Sequence, residues 1–248
     1  MSSRKLLSLN FFLALFFFAG CASAPQPTKT AETYFKEGDE FYASRNYEDA
    51  IAQWKRVKES YSSPELTTMA ELKIADAQFD NGDYIEAAAS YEEFRKLHPT
   101  NEKSEYALYR LSLCHFNQIH GIDTDQTAVK NAVTLFESFL KSYPKSSYVE
   151  EVRAKLDVCR MKQVQYEIYV GRFYLRSGRY TAAIKRLDAA LTNYPKSPFH
   201  DETLYYLGEA YLLAGERDKG RAAYSRLYSE FRNSKYVEKA RSIMEKNY

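Results

Sequence analysis

The sequence contains few of the residues from which metal sites, disulfide frameworks and phosphate-binding loops are built. Its 248 residues include three cysteines, four histidines, nine glycines and one tryptophan. The histidines do not have the spacing of zinc ligands, and no GxSxG, Walker or dinucleotide-binding glycine motif occurs. We therefore expect no bound metal, no diffusible cofactor and no enzymatic activity.

The chain also has little net charge. Its 35 Lys and Arg residues oppose 33 Asp and Glu residues, which gives a formal charge of +2. Two of the cations, Arg4 and Lys5, lie in an N-terminal segment that we expect to be removed, so the mature chain would be neutral. Because nucleic-acid-binding domains carry a marked basic excess, the composition gives no reason to expect a nucleic-acid partner.

A largely apolar run lies at the N-terminus. It is too short for a preferred membrane span, so residues 1–20 are predicted to be a secretory signal peptide. The run ends in Phe18-Ala19-Gly20-Cys21, which is similar to the bacterial lipobox with Phe in place of the usual Leu. Cys21 is therefore the predicted site of diacylglyceryl and N-acyl attachment. The alternative is ordinary signal cleavage near residues 22–24, which would leave a soluble secreted protein.

The residues after the cysteine suggest where the protein resides. Ala22 rather than Asp follows Cys21, so we expect the outer membrane, with the protein facing the periplasm. Three acyl chains would hold it firmly, since each buried methylene contributes roughly 0.8 kcal/mol. Residues 21–30 contain two prolines and no large apolar residue, which is typical of a tether.

The rest of the chain repeats a pattern of small and large residues. Units that begin at Ala31, Thr68, Val164 and Asp201 have small residues at positions 8 and 20 and mostly bulky residues at positions 24 and 27. These offsets are typical of the tetratricopeptide repeat, an antiparallel helix pair of about 34 residues. Small residues let the two helices approach closely, while bulky ones fill the space between neighbouring hairpins.

The third unit is longer than the others. Its helix A is in register with a unit that begins at residue 105 and its helix B with one that begins at residue 113, so eight residues are inserted at 120–127. A further 14 residues precede the fourth unit. Residues 147–165 contain neither Gly nor Pro, so we assign this excess to an extended helix 4A that runs from near Tyr148 to Ser177.

The repeats predict an all-α fold. We expect an α-solenoid of five tetratricopeptide hairpins, with ten helices and no strands, wound into a right-handed superhelix. Hairpins 1–3 would occupy residues 31–145, and hairpins 4 and 5 residues 146–248.

One face of each helix A is a candidate binding surface. Positions 5, 9 and 12 share a helix face, which in such stacks looks into the concave groove. In hairpins 1–3 this face is aromatic with acidic points, which suits an extended peptide that carries aromatic side chains. The alternative is that individual members belong to the core between repeats. The predicted groove residues are Phe35, Tyr42, Phe79, Tyr109 and Phe116.

Two further features leave alternatives open. Cys114 and Cys159 fall on helices 3A and 4A, which are neighbours in such a stack, so they could form a disulfide or remain buried thiols.

Asp123 and Asp125 could suggest a cation loop, but Asp125 or Thr127 is explained more simply as the N-cap of helix 3B.

The lipobox, the five hairpins, the enlarged third loop and the long fourth helix A together resemble the BamD family, also called YfiO or ComL. Its members are lipoproteins of the outer-membrane β-barrel assembly machine, and the resemblance covers Cys21 to the C-terminus. In the loop, Asp125-Gln126-Thr127 fits the family's Arg-Asp-Gln-Thr. Thr124 stands where the family has arginine, so the role of that arginine is not expected here.

The resemblance implies a lipid-anchored scaffold that works with other lipoproteins of the machine at the inner leaflet of the outer membrane. Hairpins 1–3 would receive the C-terminal signal of unfolded β-barrel proteins and help to insert them, and hairpins 4 and 5 would dock on the periplasmic domain of BamA. An arginine of helix 4B, here Arg186, would pair with an acidic residue of BamA, unless it is simply a solvated surface residue. The alternative function is another periplasmic repeat scaffold, for pilus secretin assembly or for envelope and division coordination.

Overall fold

Helices account for most of the chain that the structure describes. The structure is a computed structural model that describes residues 29–60 and 63–247, and these ranges contain no strand. Cys21, the predicted signal peptide and most of the predicted tether lie outside them. In chain order the helices are α1 (Ala31–Ala43), α2 (Tyr47–Ser60), α3 (Pro64–Asn81), α4 (Tyr84–Leu97), α5 (Ser104–Asn117), α6 (Thr127–Ser142), α7 (Val149–Arg176), α8 (Tyr180–Asn193), α9 (His200–Leu213), α10 (Arg217–Glu230) and α11 (Tyr236–Asn247).

The first ten helices form the five predicted hairpins, each packed on the next. The expected close approach within a hairpin occurs between positions 8 and 24. A Cβ atom added to Gly38 would lie 2.4 Å from Trp54, and one added to Gly208 would lie 2.4 Å from Tyr224. In these two hairpins a side chain at position 8 would displace the opposing ring, which explains why glycine stands there.

The eleventh helix corrects the prediction of ten. On α11, Tyr236, Val237 and Ala240 are buried in one cluster with Tyr224 and Leu227 of hairpin 5. The last hairpin of a solenoid has no successor to cover its apolar side, so a terminal cap must do so. The repeat pattern could not show this helix, because a single capping helix does not contain the second half of the motif.

Helix α7 confirms the predicted extension. It spans 28 residues without interruption. Its first half buries Val152 and Leu156 in the core of hairpins 2 and 3, whereas its second half buries Val164 and Ile168 in the core of hairpins 4 and 5. One helix therefore belongs to both halves of the molecule.

The two cysteines remain free thiols in this structure. Cys114 and Cys159 are buried and unpaired, and both belong to the core that α7 shares with hairpin 3. Burial raises the pKa of Cys114 to about 12 and that of Cys159 to about 11. Both groups are therefore protonated at neutral pH, in the form that reacts slowly.

The turns within hairpins 1, 2, 4 and 5 share one backbone conformation. Gly82, Gly178 and Gly215 stand at position 15 of their units with φ of 88°, 71° and 82°, and Arg45 takes the same place in hairpin 1 with φ of 59°. In each case the residue donates its N–H back into the preceding helix, as a left-handed C-terminal cap does. Arg45 is therefore the one non-glycine residue with positive φ in the described chain.

Arg45→Gly is expected to raise the free energy of unfolding by about 0.5–1 kcal/mol, because an L side chain in the left-handed region costs about 1–2 kcal/mol and the added flexibility of glycine offsets part of that gain. Urea denaturation measures the change. The matched control is Gly178→Arg, the reverse exchange in hairpin 4, which should lower stability by about 1 kcal/mol. Loss of stability in both variants would contradict this account of position 15.

Candidate functional site

The predicted groove residues lie on successive A helices. Phe35 and Tyr42 come from α1, Phe79 from α3, and Tyr109 and Phe116 from α5. Tyr109 is only 8% exposed, whereas the other four are partly exposed. The face is therefore aromatic, as the sequence predicts, but its members are not equally accessible.

A cation from the following A helix lies over each of the three phenylalanines. The Nζ atom of Lys73 is 5.6 Å from the ring centre of Phe35, and that of Lys155 is 4.8 Å from the ring centre of Phe116. The Cζ atom of Arg110 is 3.8 Å from the ring centre of Phe79. Such contacts stabilise neighbouring helices. Each of these cations is also paired with a carboxylate of this chain.

The strongest polar contacts in the groove surround Arg110. Its Nη2 group donates to Asp80 Oδ1 at 2.9 Å, and its Nε group donates to the hydroxyl oxygen of Tyr91 at 3.1 Å. The hydroxyls of Tyr91 and Tyr106 both donate to Asp76 Oδ1, at 2.5 and 2.8 Å. These bonds join hairpins 2 and 3, and we call the five residues the Asp76 cluster.

Hairpin 1 is connected to the same face. The hydroxyl of Tyr42 donates to Asp80 Oδ2, and the Nζ atom of Lys73 lies 2.9 Å from Asp39 Oδ1. The acidic residues of the groove are thus already paired with groups of this chain. They shape and hold the groove more than they attract a cationic ligand.

Burial sets the protonation behaviour of the Asp76 cluster. Burial raises the pKa of Asp76, against the lowering effect of the hydrogen bonds from Tyr91 and Tyr106 and of the Arg110 charge. Burial also raises the pKa of both phenols, so they remain hydrogen-bond donors at neutral pH. The hydrogen bonds from the two hydroxyls and the adjacent Arg110 guanidinium offset part of the cost of burying the Asp76 carboxylate.

The cations of the groove were not among the residues predicted from the sequence. The prediction covered positions 5, 9 and 12 of helix A. Lys73 and Arg110 stand at position 6 of their units, and Tyr106 stands at position 2. These positions border the same helix face, so a cation at position 6 in two successive units was a signal that could have been found.

Tyr109 holds hairpin 3 against α7. Its ring stacks on Tyr148 with centroids 4.2 Å apart, and its hydroxyl donates to Glu151 Oε2 at 2.7 Å. This placement agrees with the alternative of a residue in the core between repeats. In this conformation Tyr109 supports the groove wall and offers little surface to a ligand.

The enlarged loop organises itself around the Asp-Gln-Thr segment. The Asp125 carboxylate accepts hydrogen bonds from the backbone N–H and the hydroxyl of Thr127, while the Gln126 amide donates to the carbonyl of Thr124. Asp125 therefore stabilises the start of α6, although the N-cap position itself is Gln126. The loop borders a cavity of about 350 Å³ whose lining includes the exposed Ile85.

Arg186 lies on α8 against the second half of α7. Its Nη1 group donates to both carboxylate oxygens of Glu167, at 3.2 and 3.3 Å. The Arg186 side chain is 42% exposed and that of Glu167 is 20% exposed. An acid of this chain thus holds the guanidinium in place while much of it faces solvent.

Metal-binding clusters and membrane-spanning helices are both absent from the described ranges. Within residues 29–60 and 63–247, no group of three or more His, Cys, Asp and Glu side chains could hold a metal ion. In the same ranges, no helix combines the length and the apolar composition that crossing a membrane requires.

Five stacked helical hairpins with aromatic residues on successive A helices define the class of this protein as a tetratricopeptide-repeat protein. The chain belongs to the YfiO family of outer membrane lipoproteins, whose family model matches residues 27–227.

Relatives in several bacteria bear the name outer membrane protein assembly factor BamD. The Caulobacter vibrioides protein is 28% identical over 209 residues, covering 82% of this chain and 68% of its own length. The Rickettsia prowazekii protein is 28% identical over 251 residues, covering 100% of this chain and 99% of its own length. Among solved structures, the chain is similar to the TPR2AB domain of yeast Sti1 in complex with pHSP90, at 12% identity and a TM-score of 0.47, covering 87% of this chain and 84% of that one.

Asp76→Asn is expected to leave the free energy of unfolding at pH 7 within about 1 kcal/mol of the wild type, because the amide oxygen can still accept both tyrosine hydroxyls and the neutral group avoids the cost of burying a carboxylate. Asp76→Ala, the matched control, leaves both hydroxyls without their acceptor and should cost about 2–3 kcal/mol. Chemical denaturation measures both, and equal losses would contradict the role of the acceptor.

The pH dependence gives a second test of the same carboxyl. Because its pKa is raised in the folded state, the stability that Asp76 contributes falls as the pH rises from the unfolded pKa, about 3.9, through the raised folded value. Asp76→Asn lacks this loss, so its stability relative to the wild type should increase across that window. A relative stability that decreases there would contradict the direction of the shift.

Proposed function

We propose that this chain is a lipid-anchored scaffold of the β-barrel assembly machinery, which docks on BamA and helps to recognise and insert unfolded β-barrel proteins into the outer membrane. The observation that carries the proposal is membership of the YfiO family over most of the chain, together with a relative named as an outer membrane protein assembly factor that aligns from end to end. The scaffold acts by binding and not by catalysis.

The anchor and the location belong to the same proposal. Cys21 carries the lipid, and residues 22–30 separate the inner leaflet of the outer membrane from α1. A tether of about nine residues reaches roughly 30 Å when extended, so the repeats lie close beneath the membrane in the periplasm. Other lipoproteins of the machine are further partners.

The concave groove of hairpins 1–3 receives the C-terminal segment of an unfolded β-barrel protein. Phe35, Tyr42, Phe79 and Phe116 supply aromatic contact area along successive helices. The cations beside the phenylalanines are each paired with a carboxylate of this chain, so they position the rings, and the rings supply the contact surface for the peptide. An extended segment that carries aromatic side chains matches that arrangement.

Hairpins 4 and 5 dock on the periplasmic domain of BamA, and Arg186 pairs there with an acidic residue. Its 42% exposure leaves the guanidinium accessible, and the bond to Glu167 fixes its direction in advance. Fixing a long side chain before binding reduces the entropy lost on association.

Arg186→Glu is expected to weaken binding of the BamA periplasmic domain by about 100-fold or more, because charge reversal places like charges together across the interface and costs several kcal/mol. Isothermal titration calorimetry measures the affinity. Lys185→Glu is the matched control, since it makes the same change of charge at the adjacent exposed residue and should alter the affinity less than about threefold. Equal weakening by both variants would mean that only general electrostatics is involved.

Phe79→Ala is expected to weaken binding of a peptide from the C-terminal strand of a β-barrel protein by about tenfold, since removal of a buried aromatic contact typically costs more than about 1 kcal/mol. Fluorescence anisotropy with a labelled peptide measures this. The same variant should bind the BamA domain as the wild type does, and Arg186→Glu should retain the peptide. Unchanged peptide affinity in Phe79→Ala would exclude this face as the binding groove.

A further inference from the structure

Hairpins 2, 3 and 5 contact their predecessors through the same three positions of helix A. In hairpins 2, 3 and 5, the residues at positions 3, 7 and 10 are all at most 6% exposed and lie against the preceding helix B. They are Ala70, Ile74 and Ala77; Ala107, Leu111 and Cys114; and Thr203, Leu207 and Ala210. Hairpin 1 has no predecessor and carries Thr33, Glu37 and Glu40 at these positions.

Helix α7 carries this contact pattern twice. Hairpin 3 covers the first copy, Val152, Leu156 and Cys159, which are 0%, 3% and 0% exposed. The second copy, Tyr166, Val170 and Phe173, follows 14 residues later in the register of hairpin 4. Fourteen residues are close to four helical turns, so the two copies face the same side of the helix, about 21 Å apart.

The second copy is apolar and only partly covered. Phe173 is 51% exposed, Tyr166 and Val170 are partly exposed, and none of the three belongs to a core cluster in the described chain. Because the extension of α7 moves hairpin 3 to the first half of the helix, the place of a preceding hairpin beside the second half is vacant. We call the surface formed by Tyr166, Val170 and Phe173 the α7 notch.

The charge at the borders of the notch indicates what it binds. Arg186 lies at the edge of the notch, because it is hydrogen-bonded to Glu167, which follows Tyr166 in the chain. Lys162 lies one turn before Tyr166 and Arg176 one turn after Phe173, and neither forms an ion pair within the described residues. An apolar stripe with three basic residues around it complements an apolar face with acidic flanks.

We propose that the α7 notch receives an amphipathic α-helix with acidic flanks, belonging to the partner that docks at Arg186. The inference rests on the proposed function for the identity of that partner, the periplasmic domain of BamA. Its helix takes the place that helix B of a preceding hairpin occupies elsewhere in the stack. The chain's own tether is not the occupant, because residues 22–30 contain no large apolar side chain.

Phe173→Ser in the full mature chain tests the proposal. The affinity for the purified BamA periplasmic domain should fall by about tenfold or more, since apolar anchors at the centre of an interface carry most of its binding energy. The melting temperature should not change, because Phe173 supports no core. Ile85→Ser, at a residue that is 71% exposed on α4, is the matched control and should bind normally.

The outcomes separate the two proposals. Wild-type affinity for Phe173→Ser together with loss of binding by Arg186→Glu would overturn the notch and leave the docking contact standing. Wild-type affinity for both variants would overturn the docking itself. A photocrosslinker at position 173 should capture BamA in cells, and capture of a second copy of this chain would instead make the notch a surface of self-association and overturn the assigned occupant.

Discussion

The packing of each helix B against the next helix A is the contact on which the whole structure depends. At three of the four interfaces, residues 20, 24 and 27 of one unit meet residues 3, 7 and 10 of the next, and between hairpins 3 and 4 the extension of α7 supplies the equivalent residues Val152, Leu156 and Cys159. A small residue at position 8 makes it possible, because it lets helix B lie close enough to its own helix A to present those side chains together. Each hairpin is thus stable only through its neighbours, and both ends of the stack need a special solution. At hairpin 1 the uncovered face of helix A carries polar residues, and after hairpin 5 the apolar face is covered by α11.

The fold could be predicted from the sequence because this contact requires particular residue sizes at fixed spacing. Gly38, Gly171 and Gly208 and the bulky residues opposite them set the register of their units, and arithmetic between registers located both the loop insertion and the extension of α7. Helix α11 could not be found in this way, because it covers the last hairpin without repeating the pattern. A cap is specified by the surface that it covers, and that surface exists only in the folded chain.

The candidate site was less predictable, because helical periodicity gives the direction of a side chain but not its partner. The aromatic character of the groove followed from positions 5, 9 and 12. The contacts of Lys73 and Arg110 with rings of the previous hairpin depend on the distance between successive A helices, which the sequence does not contain. Likewise, Tyr109 has the spacing of a groove residue, yet its stacking on Tyr148 arises only because the extended α7 brings that ring alongside.

The continuity of α7 has a mechanical consequence. A helix of 28 residues is about 42 Å long, and here each half of it is fixed in a different core. No loop separates the two halves of the solenoid along this path, so neither can turn freely against the other. A rotation of hairpins 4 and 5 against hairpins 1–3 would therefore have to bend α7 or break its contacts in one of the two cores.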